Sequence, residues 1–148
     1  MDAPGAVNFL TPRDCPRVTF GLDAHTTAAD AESWLGKTTA RRVVAIEWRW
    51  YERLRRCILC EYAMPAASFT RFDDPAGYYV SHDVVRPQAM RTITDLPSAL
   101  ASCNVELRVL PSLWRLRDAV ADSSLQFSIL RMRNAAPPDD GYLPLYPV

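Results

Sequence analysis

The segment Arg42–Trp48 constrains this chain more than any other. Its middle, Val43-Val44-Ala45-Ile46, is apolar without a break. Branched side chains favour extended backbone, and a strand with no polar face belongs in the middle of a sheet. The rest of the chain therefore has to supply flanking strands and cover. At 148 residues it suits one domain, and such a length buries roughly 70% of the unfolded surface.

Other elements read off in order. Met1–Pro16 carries Pro4, Gly5, Pro12 and Pro16, too broken for a helix interior, with Val7–Leu10 a short strand or turn. Pro12–Arg17 is a rigid polar knuckle, and Val18-Thr19-Phe20 begins a strand. Thr26 or Thr27 caps a helix running to Leu35, with Gly36 past its end. Trp48–Arg56 is a short helix. Strands follow at Cys57–Met64, Ser68–Phe72 and Tyr78–Ser81, and Arg86–Ile93 leads away from the last. Asp95 caps a helix over Leu96–Cys103 with Pro97 in its first turn and Asn104 at its end. Val105–Val109 alternates as a half-buried strand. From Ser112 to Ala136 no proline or glycine intervenes, so a single helix is the preferred reading, with Leu125, Phe127 and Ile129 as a strand the alternative. The sum is an α+β domain over residues 1–136. A mixed, mostly antiparallel sheet of about five to six strands carries about three to four helices. Residues 137–148, PPDDGYLPLYPV, form a Pro/Tyr-rich tail that drapes over the body or moves freely.

Composition excludes some functions. Basic and acidic side chains number 17 each, so no excess charge exists to neutralise phosphates and nucleic-acid binding is disfavoured. Lys37 is the only lysine, a uniform arginine bias that hints at a GC-rich bacterial coding background. No long apolar run spans a membrane, and Met1–Leu10 has no secretory pattern, so a cytoplasmic location is expected. The histidines are His25 and His82, too few for a multi-histidine metal site. Cys57 and Cys60 have CxxC spacing, but residues three apart on a strand face opposite ways and no second pair completes a site. No metal is therefore expected. Cys15 between Arg13 and Arg17 could be an activated thiol, although nothing in the sequence supplies its base.

The stretch Asp73–Met90 holds the richest polar-aromatic cluster. A turn over Asp73–Gly77 leads into Tyr78-Tyr79-Val80-Ser81, with His82 and Arg86 just beyond. Ser81, His82 and Asp83 alternate faces along a strand, so they cannot line up as a relay. Known phosphate-loop, dinucleotide, metalloprotease and serine-hydrolase motifs are absent.

The runs PRDCPRVTF, RVVAIEWRWYERL, AGYYVSHDVVRPQAM, VELRVLPSLWRLRDAV and FSILRMRNA together resemble a bacterial domain family of unknown function, over Asn8 to about Ala135. A more distant similarity is to ADP-ribosyltransferases of the DNA-targeting toxin type. It is carried by the knuckle Phe9-Leu10-Thr11-Pro12-Arg13 and by Gly77–Ser81 followed by Val85-Arg86-Pro87. That similarity implies an ADP-ribosyltransferase-like fold and NAD as ligand. Arg13 would hold phosphate, Tyr78, Tyr79 and His82 would line the pocket, and Arg86 lies close by. Where those enzymes carry a glutamate this chain has Tyr78, which cannot supply a carboxylate.

Two function classes compete with that reading. Four tryptophans and six tyrosines suit a non-catalytic binding or assembly module, a homodimer included. The arginines of Arg49–Arg56 with their flanking tryptophans could grip single-stranded nucleic acid, the least favoured option.

Overall fold

The computed structural model describes residues 3–73, 78–139, 141, 142 and 145. It is a mixed α+β domain. Its main sheet has the order β7-β2-β1-β8, from β1 (Arg17–Gly21), β2 (Arg42–Glu47), β7 (Val105–Leu110) and β8 (Gln126–Leu130). β1 pairs antiparallel with both β2 and β8, while β2 and β7 run parallel. Two small antiparallel ribbons accompany it. One pairs β3 (Leu59–Ala63) with β6 (Ala89–Ile93), the other β4 (Thr70–Asp73) with β5 (Tyr78–Val80).

β2 is central, as its apolar run predicts: Val43 to Ile46 are fully buried. Alternation sends its side chains into two cores. Val43 and Ala45 join Val18 and Phe20 under α2 (Ala28–Leu35) and α5 (Trp114–Ala121), with Leu35, Leu113, Trp114 and Val120 as cover. Val44 and Ile46 face α3 (Trp48–Arg56) and α4 (Leu96–Ser102) through Leu54, Leu96 and Leu100. Each core residue of this size contributes about 1.5–3 kcal/mol by leaving water.

The local signals behave as chemistry requires. Thr27 caps α2 by accepting from the Asp30 N–H, and Asp95 caps α4 by accepting from the Ser98 N–H. Asn104 takes φ 56° after α4 and donates to the Thr39 carbonyl at 3.2 Å. Gly36 ends α2 in right-handed geometry. What requires glycine there is space, since a Cβ would sit 2.4 Å from the Glu32 carbonyl oxygen.

Two expectations need correction. The preferred single helix over Ser112–Ala136 is not formed: α5 stops at Ala121 and β8 starts at Gln126. The break is at Ser123 and Ser124. The Ser123 hydroxyl donates back to the Val120 carbonyl and accepts the Leu125 N–H, and Ser124 bonds Asp30 of α2 through both its N–H and hydroxyl. Such side chains compete with the helical ladder, and Gln126–Leu130 gains a full register against β1 instead. At the N-terminus, a one-turn helix α1 (Ala3–Ala6) replaces the broken segment, and of the strand or turn expected at Val7–Leu10 the turn forms, as a 3₁₀ turn (Val7–Phe9). Proline is tolerated in a first helical turn, where its missing N–H has no partner to lose. Of the expected turn over Asp73–Gly77, Asp73 ends β4 and residues 74–77 lie outside the described positions.

The tail is fastened where it is described. Asp118, buried on α5, pairs with Arg117 at 2.5 Å and accepts from the Tyr142 hydroxyl and the Leu145 N–H. Burial alone would raise the Asp118 carboxyl, but those donors outweigh it and hold the group below the ordinary range. Arg115 stacks over the Tyr142 ring at 4.8 Å. Cys15 lies inside the second core, and burial pushes its thiol up to about 12 despite the nearby Arg17. An activated nucleophile is thereby overturned, because only the thiolate reacts.

Two outcomes follow. Ellman's reagent at about pH 8 will label the exposed Cys60 and Cys103 in the native protein, whereas Cys15 will react only after unfolding. Asp118→Asn will cost about 3 kcal/mol, roughly 6–12 °C in Tm, and protease will cut the tail faster. Because the folded carboxyl titrates low, its contribution is complete above the ordinary aspartate value of about 4 and fades as pH falls through the lowered one. The gap between wild type and variant should close below about pH 4.

Candidate functional site

One end of the main sheet opens into a cleft of about 510 Å³, lined by Phe9, Thr11, Arg13, Arg17, Leu59, Tyr78, Leu130 and Arg131. Ligand sites commonly occupy about 300–1,000 Å³. Arg17 is the first residue of β1, set between Ile46 and Leu130 on the flanking strands. It shares a sheet face with Thr19, whereas Val18 and Phe20 point into the other core. Phe9 and Thr11 come from the turn ahead of β1, Tyr78 opens β5, and Arg131 follows β8 directly.

Arg17 is only 4% exposed. One terminal nitrogen donates to the Cys15 carbonyl at 3.0 Å, but its Nε has no partner among the described residues. Its guanidinium also lies 5.5 Å from the centre of the Phe9 ring, which meets Tyr78 edge to face at 6.4 Å. No carboxylate is among the described lining residues. Burial lowers the Arg17 pKa below the ordinary guanidinium value, and the like charge of Arg131 pushes the same way. Buried charge without a counter-ion is expensive. The Thr11 hydroxyl, 2% exposed, is a second buried polar group on the cleft wall without a partner among the described residues. Arg131 takes φ 59°, a left-handed conformation that a non-glycine residue adopts at a cost.

Of the residues singled out by sequence, Arg13 and Tyr78 share this cleft. Tyr79, one residue along the strand, is not among its described lining. The same holds for His82 and Arg86, both exposed in the loop between β5 and β6. Ser81 instead donates to the Ser68 hydroxyl at 2.9 Å and ties off the β4–β5 ribbon. Arg17 and Arg131 were missed. Arg17 had one faint signal, a charged residue heading a strand that is otherwise uncharged. Arg131 had none, because its place depends on β8 pairing with β1.

The arginines of α3 have partners inside the chain. Arg55 and Arg56 pair with Glu52 at 3.1 and 3.6 Å, Arg53 covers Trp50 at 5.0 Å, and Arg49 pairs with Glu47 at 2.8 Å. Among the described residues, no cluster of three or more His, Cys, Asp or Glu is placed to hold a metal ion.

Comparison with known proteins places the cleft in context. No curated protein and no solved structure matches the chain. A family model described as a family of unknown function (DUF6886) matches residues 1–135, which take in every described residue lining the cleft and leave out the tail. The chain belongs to that family.

Proposed function

We propose that the cleft binds a small phosphate-bearing ligand of the nucleotide kind. The observation that carries this reading is the Arg17 guanidinium, buried, with no partner for its Nε and no carboxylate beside it among the described residues, and flanked in the cleft by Arg13 and Arg131. Guanidinium groups match phosphate oxygens through paired donors, and such charge-assisted bonds are about twice as strong as neutral ones. A bound oxyanion would complete Arg17 and accept from the Thr11 hydroxyl. Phe9 and Tyr78, partly exposed at the cleft, offer ring surface for a base or nicotinamide. NAD joins a diphosphate to two such rings, and the resemblance of the Phe9–Arg13 knuckle to ADP-ribosyltransferases makes it the first dinucleotide to try.

The reading stops at binding. On the resemblance to ADP-ribosyltransferases, Tyr78 would stand where those enzymes need a carboxylate to steer the nucleophile, and the described lining offers no replacement. Binding without group transfer is what these side chains support.

Titration calorimetry with NAD and with pyrophosphate tests the reading. Both should bind, more weakly as salt rises. Arg17→Met should weaken binding at least about tenfold, the scale of a lost charge-assisted hydrogen bond. The same variant should melt no lower than wild type without ligand, since it removes a buried charge that has no counter-ion among the described residues. No heat from either ligand at millimolar concentration would end the proposal.

A further inference from the structure

The two exposed arginines of the cleft sit on loops far apart in sequence, and one side chain joins those loops. Asn134 donates from its Nδ2 to the Asp14 carbonyl at 2.8 Å, next to Arg13. Its own N–H donates to the Arg131 carbonyl at 2.9 Å, closing the 3₁₀ turn Met132–Asn134 that follows Arg131. We infer that Asn134 is a positioning residue, which bolts the Arg13 loop to the Arg131 turn and so fixes the spacing of the arginines that would grip the ligand. This rests on the anion-binding reading of the cleft.

Asn134 is itself held from below. Its carbonyl accepts from Arg49, whose Nε pairs with Glu47 at 2.8 Å. Glu47 closes β2 and is 1% exposed, a buried carboxylate that also accepts the Ala136 N–H at 3.0 Å on both oxygens. The Trp114 indole N–H donates to the Ala136 carbonyl at 2.7 Å, and Met132 is buried in the first core. The turn is thus anchored on both sides of Asn134, so its amide reaches Asp14 from a fixed base. Holding Arg131 in a left-handed conformation requires surroundings that over-determine it, and this set of bonds provides them. A site spaced before the ligand arrives loses less freedom on binding.

A double-mutant cycle tests the assignment against a plain structural role. Pyrophosphate affinity is measured by calorimetry for wild type, Asn134→Ala, Arg131→Ala and the pair, with Tm recorded for each. Asn134→Ala is expected to weaken binding about fivefold and to raise amide exchange in both segments 10–15 and 131–135. The pair should lose less than the product of the two single losses, because an arginine already removed cannot be misplaced. Losses that multiply, or unchanged exchange in segment 10–15, would overturn the positioning role while leaving the cleft reading standing. A wild type that ignores pyrophosphate overturns the cleft reading instead, and the role built on it.

Discussion

Removing a guanidinium from water without a carboxylate beside it costs several kcal/mol, and the architecture is arranged around one group, Arg17, that has none among the described residues. Arg17 heads the strand with a paired neighbour on each side, which fixes its backbone at the start of β1. The sheet's own packing supplies the force that keeps it in. Val18 and Phe20 anchor one face of β1, and Cys15 just ahead is sealed in the opposite core. An apolar side chain at position 17 would serve that packing at lower cost, which points to selection for something other than stability.

The second layer of constraint lies at the carboxyl end of β8. The chain leaves the sheet through a left-handed arginine, makes a single 3₁₀ turn and is caught by Glu47, Arg49 and Trp114. These partners come from β2, α3 and α5, so three elements spend polar groups on a few residues of turn. Concentrated restraint of this kind marks a place where backbone position matters more than economy. The tail uses the same device one step further on, with Asp118 gathering Arg117, Tyr142 and Leu145.

What sequence could reveal was set by the range of the interactions. Thr27, Asp95 and Asn104 were legible because a cap is decided within a few residues. β2 was legible because burial on both faces leaves an apolar run. β8 was not, since Leu125–Leu130 fits either period and only pairing with β1 selects the strand. The cleft followed the same division. Tyr79, His82 and Arg86 drew notice by crowding together in sequence with Tyr78, yet alternation and a loop carried them away from it. Arg17 and Arg131 are separated by most of the chain and meet only because β1 and β8 are neighbours.

That neighbourhood has a consequence for how the molecule is made. β1 leaves the ribosome well before β8, so until residues 126–130 emerge one long edge of β1 has no strand to pair with. Unpaired apolar edges are templates for association with other chains. The cleft is equally late, because its wall is missing until Leu130 and Arg131 arrive. A nascent chain is therefore at its most adhesive before the cleft exists. A fusion that delays release of residues 126–135 should harm yield more than one placed at the amino end.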